Sequence, residues 1–324
     1  MYIAGGTTGI SVGSSVSGVT IQYVTAGIDQ TGVNSGMTYG VSLAGSSNTV
    51  QNVTAANSTY GIYITGSSNT ITTSYVGITS GNSDVSNVTA GIYVSGNSNT
   101  IGGTTTATAN YIPYNDNWGI QIDGGATSNT VKINYIGYKT DKTTAAGNGQ
   151  HGITIRTSSN GNTIGNASPA QAPYIGNSGQ NGIDIRSSSN ITINNAQIDN
   201  STGHGVYLTG ASDIDFNTVA ITDSAQEGIA YYDNSYGDVT DSTITGNTLN
   251  GIAYSTGGAF TFDGNTISNN TQNGLSGYNS NNAVTITDNA LNANGARCIY
   301  QNIVSSTVTI TGNTVSSSGS EGIN

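Results

Sequence analysis

Between Gly205 and Ala296 the chain restarts at a constant interval of 23 residues, at Gly205-Val206, Gly228-Ile229, Gly251-Ile252 and Gly274-Leu275. A fixed period of this size belongs to a solenoid, in which each repeat is one turn that buries its apolar side only against its neighbours. Within a unit, apolar and polar residues alternate at period two, so the unit is built of strands. Each opens on Gly-apolar-x. A short middle strand follows, such as Phe260-Thr261-Phe262 or Val284-Thr285-Ile286, and a third comes last, such as Asn265-Thr266-Ile267 or Asn247-Thr248-Leu249. Gly, Asn, Ser and Asp fill the corners. Three short strands and three corners make one coil of a parallel β-helix, the corners serving as the crossovers that parallel strands require.

The same beat runs backwards through Gly9, Gly40, Gly61, Gly91, Gly119, Gly152 and Gly182, at spacings of 31, 21, 30, 28, 33 and 30 residues, with 23 more to Gly205. Most coils of the first half therefore carry an extra loop at one corner. This predicts an all-β, single-stranded parallel β-helix of about 11 coils, with three strands per coil and no seam between 1 and 324. A second phrase keeps time with the first: Ser47-Asn48-Thr49-Val50, Ser68-Asn69-Thr70-Ile71, Ser98-Asn99-Thr100-Ile101, Ser128-Asn129-Thr130-Val131 and Gly161-Asn162-Thr163-Ile164. Stacked at a corner, these Asn side chains would hydrogen-bond along the axis as a ladder.

Phrases such as NTIGGTTTATANYIPYNDNWGIQI and NYIGYKTDKTTAAGNGQHGITI resemble the right-handed parallel β-helix repeats of large secreted microbial proteins. That broad group takes in the pectate-lyase-like fold and carbohydrate-binding and sugar-hydrolase repeats. The resemblance implies a right-handed helix. For activity it implies only a wide choice, from lyases, hydrolases and epimerases to tailspikes, adhesins and inert fibres.

Only 7% of residues are charged and 46 are Gly, so the surface is neutral Ser, Thr, Asn and Tyr. The phased aliphatics argue against disorder. Net charge is −11, which opposes nucleic-acid binding, since that needs Lys and Arg to neutralise phosphates. No apolar run reaches the ~18 residues of a membrane span, and no basic-then-apolar leader opens the chain. The composition fits an extracellular or cell-surface protein. The single Cys298 excludes an internal disulfide and is expected to be a buried thiol in an aliphatic slot.

Scarce charges are informative where they gather. The opening strands of five successive coils align as Trp118 to Asp123, His151 to Arg156, Asn181 to Arg186, His204 to Thr209 and Glu227 to Tyr232. In that register Trp118, His151, Asn181, His204 and Glu227 form one outward column. Gln121, Thr154, Asp184, Tyr207 and Ala230 form a second, and Asp123, Arg156, Arg186, Thr209 and Tyr232 a third. Both histidines, the lone tryptophan and two of three arginines thus meet on one patch. An aromatic platform, imidazoles and guanidinium forks are parts that hold an acidic saccharide, with Trp118, Gln121, Asp123, His151, Arg156 and Glu227 as binding residues. His204, Tyr207, Asp184 and Arg186 are the catalytic candidates, because His, Tyr or Asp can move protons beside an Arg that grips carboxylate. A solvated face of paired charges is the plainer alternative.

Resemblance adds that pectate-lyase-like enzymes keep their sites on this sheet. Gly203-His204-Gly205 is similar to the histidine motif of polygalacturonases, but the Asp-Asp pair and Arg-x-Lys of that motif are missing, and Gly205 is the repeat's own glycine. No cofactor motif is present. Asp213, Asp215, Asp238 and Asp241 lie on neighbouring corners and would offer at most a weak calcium site. Two functions follow as expectations: a structural or adhesive β-helix of a surface layer, stalk or fibre, or a carbohydrate-binding or polysaccharide-active lyase, epimerase or hydrolase. A site would form a groove flanked by the long loops of Gly91–Gly182, whereas a rod would leave the sheet flat and open. Neither end carries a polar cap, so either more protein follows or copies stack end to end.

Overall fold

The computed structural model describes residues 1–32, 36–280, 283–303 and 307–324. Every strand-to-strand pairing is parallel, and strands of consecutive coils pair in sequence order. The first face is a sheet of twelve strands that runs from Thr8–Val12 to Ile299–Ile303. Two further faces join into a 23-stranded sheet, because Thr20–Ala26 and Thr49–Ala55 each run unbroken from the second face onto the third. One continuous apolar core fills the interior along the axis. The inward pairs Ile120 and Ile122, Ile153 and Ile155, Ile183 and Ile185, and Val206 and Leu208 stack there, all fully buried.

The opening glycines are required by close approach. A Cβ on Gly182 would stand 2.5 Å from Ile198 Cγ2 and 2.7 Å from the Gly205 carbonyl oxygen, and Gly119, Gly152, Gly205 and Gly228 repeat the arrangement. The first sheet and the third face meet too tightly there for a side chain. Cys298 occupies this glycine column rather than an aliphatic slot, since its neighbour Ile299 pairs with Leu275. It is fully buried, with Sγ 3.4 Å from the Leu291 carbonyl oxygen.

The middle strands lie at Phe260–Asp263 and Val284–Thr287, where the pattern places them. One third strand does not. Asn247-Thr248-Leu249 is a corner, and Thr243–Thr245 is the strand. Gly246-Asn247-Thr248 and Gly264-Asn265-Thr266 read alike, and both glycines are left-handed, yet they turn different corners. The core neighbours, not the local phrase, decide which.

Amide ladders run along all three corners. Asn48, Asn69, Asn99, Asn129 and Asn162 form the expected one, each amide donating to the next Oδ1 at 3.0–3.1 Å. The corner before the third face holds Asn110–Asn134 and Asn265–Asn289–Asn313. The last corner, under the glycine column, holds Asn87–Asn115–Asn148 and Asn247–Asn270–Asn294. Between these two runs sit Ser178, Ser201 and Ser224, whose buried hydroxyls have no partner. Replacing all three with Asn should join the runs and satisfy the orphaned positions. At about 1 kcal/mol per net hydrogen bond, thermal unfolding should shift upward by about 5 °C or more. A melting curve that moves downward would show the corner too narrow for an amide.

Candidate functional site

The cross-strand register brings the first-sheet columns together as aligned. Gln121 lies beside Thr154, Thr154 beside Asp184, Asp184 beside Tyr207, and Arg186 beside Thr209. These side chains point outward, yet most are covered: His151, Asn181, Asp184, His204, Glu227, Gln121 and Thr154 are all buried. The face is therefore packed with covered polar side chains and is not freely solvated. Buried polar groups must find partners, and here they find one another.

Asp184, 1% exposed, is the hub. Arg186 grips it with both prongs, Nε to Oδ2 at 2.7 Å and a terminal nitrogen to Oδ1 at 3.0 Å. Asn181 donates to Oδ1 at 3.1 Å, and Thr154 to Oδ2 at 3.4 Å. His151 Nε2 stands 3.8 Å from Oδ1, while its Nδ1 accepts from the Asn181 backbone N–H at 3.2 Å. Burial depresses the His151 pKa against the pull of Asp184, and Arg186 and Arg156 push it down further. His151 is therefore a neutral positioning group below the surface.

One coil on, His204 Nδ1 lies 3.1 Å from Glu227 Oε2, near enough for an ion pair but not aligned as a hydrogen bond. Asn250 donates to the other Glu227 oxygen at 3.2 Å. Burial would raise the Glu227 pKa, but His204 and Asn250 outweigh it and hold the carboxyl below its ordinary value. With Nδ1 turned to Glu227, His204 has Nε2 left for a ligand. Its ring lies 5.2 Å from that of Tyr207, and the Arg186 guanidinium sits 5.4 Å from the Tyr207 ring centre. Arg186, His204, Tyr207 and Asn181 line one pocket of about 290 Å³, walled by Gly179, Gln180, Thr202, Gly203 and Gln226. The walls are thus short corners, not the long loops of Gly91–Gly182. The loop around Lys139 and Lys142 packs instead against tyrosines, with Lys142 Nζ 5.2 Å from the Tyr135 ring.

Trp118, Gln121, Asp123 and Arg156 form a separate group nearer the N-terminus. Gln121 donates to Asp123 at 2.7 Å, Arg156 Nε is 3.3 Å from the same carboxylate, and the guanidinium lies 4.3 Å from the Trp118 ring centre. Burial opposes ionisation of Asp123, but bonds from Thr157, Gly124 and Gln121, with Arg156 beside it, hold its pKa low. Beyond this group Tyr39, Tyr60, Tyr63 and Tyr93 pack ring to ring, with centres 4.5–6.0 Å apart. Asp215 has its carboxyl pushed up by burial and by Asp213 and Asp238, and among the described residues no group of three or more His, Cys, Asp or Glu is placed to hold a metal ion. No helix among them is long and apolar enough to cross a membrane.

Tyr232 of the third outward column stands 5.5 Å from Tyr207, and what the sequence pattern did not flag is the pair of inward tyrosines behind it. Inward positions that hold Ile or Leu in earlier coils hold Tyr231 and Tyr254 here, followed by Gly277 and Gln301. Tyr254 donates to Gln301 at 2.6 Å across the gap left by Gly277. The available signal was the break in the aliphatic column.

Residues 181–324 match the family described as right handed beta helix region. Among curated proteins no sequence relative is found. Solved structures are similar over most of the chain. The periplasmic alginate epimerase AlgG aligns at TM-score 0.64 and 14% identity, over 88% of this chain and 72% of its own. The Dettilon tailspike protein aligns at 0.56 and 16%, over 99% and 60%. The A-module of the mannuronan C-5 epimerase AlgE4 of Azotobacter vinelandii aligns at 0.53 and 12%, over 95% and 89%. At such identities the likeness concerns the fold, and the chain is a right-handed parallel β-helix.

Proposed function

We propose that this protein is a polysaccharide-active β-helix, outside the cytoplasm, that holds an acidic saccharide on the first-sheet face. It would act on that sugar by proton transfer at the carbon next to the carboxylate. The observation that carries this reading is the convergence of Arg186, His204 and Tyr207 on one pocket. Arg186 spends two of its N–H donors on Asp184 and has others to offer a sugar carboxylate. A guanidinium on that carboxylate acidifies the neighbouring C–H, and His204 Nε2 or the Tyr207 hydroxyl is placed to take or return the proton. Return to the opposite side is epimerisation, and loss of the adjoining glycosidic oxygen is lyase chemistry. Two of the fold neighbours are named for epimerising alginate or mannuronan, which supports the same class. The structural or adhesive role expected from composition asks for a flat face, and the covered, pocketed sheet favours the saccharide reading.

Screening uronic-acid polymers by absorbance for new double bonds, and by NMR for inverted C5, tests the proposal. Arg186→Ala and His204→Ala should each lower kcat/KM by about 100-fold or more, the scale of one lost transition-state contact. Thr192→Ala on the second face should leave it unchanged. Equal rates in all three variants would place any activity elsewhere.

A further inference from the structure

A second pocket of about 200 Å³ lies on the following coils, and Glu227, the partner of His204 from the Arg186 pocket, stands in its wall. Glu227, Tyr231, Tyr232, Tyr254, Tyr278 and Asn250 line it. Tyr232 and Tyr278 form an exposed aromatic rim, 39% and 40% accessible. Among the described residues no Lys or Arg lines this pocket. Exposed aromatic rings suit the face of a sugar ring. A second carboxylate placed here would face Glu227 across a poorly hydrated space and would be repelled.

The charge of the whole face points the same way. On the central coils the two guanidiniums of Arg156 and Arg186 meet the three carboxylates of Asp123, Asp184 and Glu227. Arg156 is occupied by Asp123 and by the Trp118 ring. On the other side of that pair the face continues as the neutral Tyr39, Tyr60, Tyr63 and Tyr93 cluster. Arg297, farther down, is taken by Glu321. Arg186 is itself paired with Asp184, so the run of several coils has little positive charge to spare on a chain of net charge −11.

Resting on the function proposed above, we infer that the ligand is a heteropolysaccharide in which an acidic sugar is flanked by neutral ones. The acidic sugar sits at Arg186, and the neutral sugar that follows sits at the Tyr232–Tyr278 rim. A homopolymer of uronates, one charge per ring, would set unpaired carboxylates against Glu227 and against an acidic surface.

Titration calorimetry with two hexasaccharides tests this on the intact chain: an oligomannuronate, and a hyaluronan fragment that alternates glucuronate with a neutral N-acetylhexosamine. The alternating oligomer should bind about tenfold more tightly or better, since each misplaced like charge works against the complex. Tyr232→Ala and Tyr278→Ala should weaken it several-fold without changing oligomannuronate binding, and Glu227→Gln should strengthen oligomannuronate. Added salt screens repulsion, so oligomannuronate affinity should rise with ionic strength. Equal or tighter oligomannuronate binding that depends on Arg186 and falls with salt would overturn the inference and leave the function standing. Binding of neither oligomer would overturn both.

Discussion

Ile183→Asp should leave no cooperatively folded protein at neutral pH. Ile183 is fully buried and pairs with Ile153 on one side and Val206 on the other, in the middle of the axial core. An Asp there has no cation within the interior to pair with, because the surrounding column is aliphatic. An unpaired buried charge costs at least about 3–5 kcal/mol, and the lost Ile packing adds about 2 kcal/mol or more. Those sums rival the whole stability of an ordinary domain. In a solenoid the damage spreads from the broken rung to its neighbours, since each coil is covered only by the next. Circular dichroism and a thermal melt read the outcome, and a variant that melts with the parent would refute the inward register. Asp184→Asn, one residue along but outward, should fold and lose only the contacts around that carboxylate, those to Arg186 and to Asn181 or Thr154, which separates the two faces of the strand.

Asn129→Ala should be the most damaging small change at a corner. Asn129 Oδ1 accepts from both the backbone N–H and the side-chain amide of Asn99, at 2.8 and 3.1 Å, and its own amide donates to Asn162 at 3.0 Å. The Asn99 side chain retains a bond to the Gly66 carbonyl, but its backbone N–H would be left buried and alone. A stranded donor, a half-used Asn162 acceptor and the vacated volume together come to about 3–4 kcal/mol. Urea unfolding should show a lower midpoint. Should the midpoint stay where it is, the ladder would be a by-product of turn geometry and not a support. Asn129→Asp offers a contrast, because it keeps the acceptor but turns a carboxylate toward the Asn162 oxygen.

The two variants mark how much a reader of the sequence can foresee. Ile183 and Asn129 both lie in phrases that recur with the period, and recurrence is itself the physical cause: identical neighbours above and below demand identical residues. The candidate site breaks the period, so its parts could be placed on a face only by carrying the register inward from the repeats on either side. That was enough to put His204, Tyr207, Asp184 and Arg186 together, with His151 and Glu227 beside them. It was not enough to show that Asp184 is buried while Arg186 remains half exposed, with its side chain 47% accessible.

Periodicity by itself thus determined most of the strands, the inward column of Ile, Val and Leu, the glycine column and the first amide ladder, because each depends only on what lies one coil away. The tertiary structure decided the rest. Whether Gly-Asn-Thr turns the second or the third corner, as at Asn265 and Asn247, depends on which aliphatic must enter the core next. That Gly179, Gln180, Thr202, Gly203 and Gln226 wall the pocket follows from how consecutive corners stack, which no residue pattern records. In the interior, Gly277 leaves a gap that Tyr254 spans to reach Gln301. Such a gap is a property of volumes meeting in the interior, and only packing reveals it.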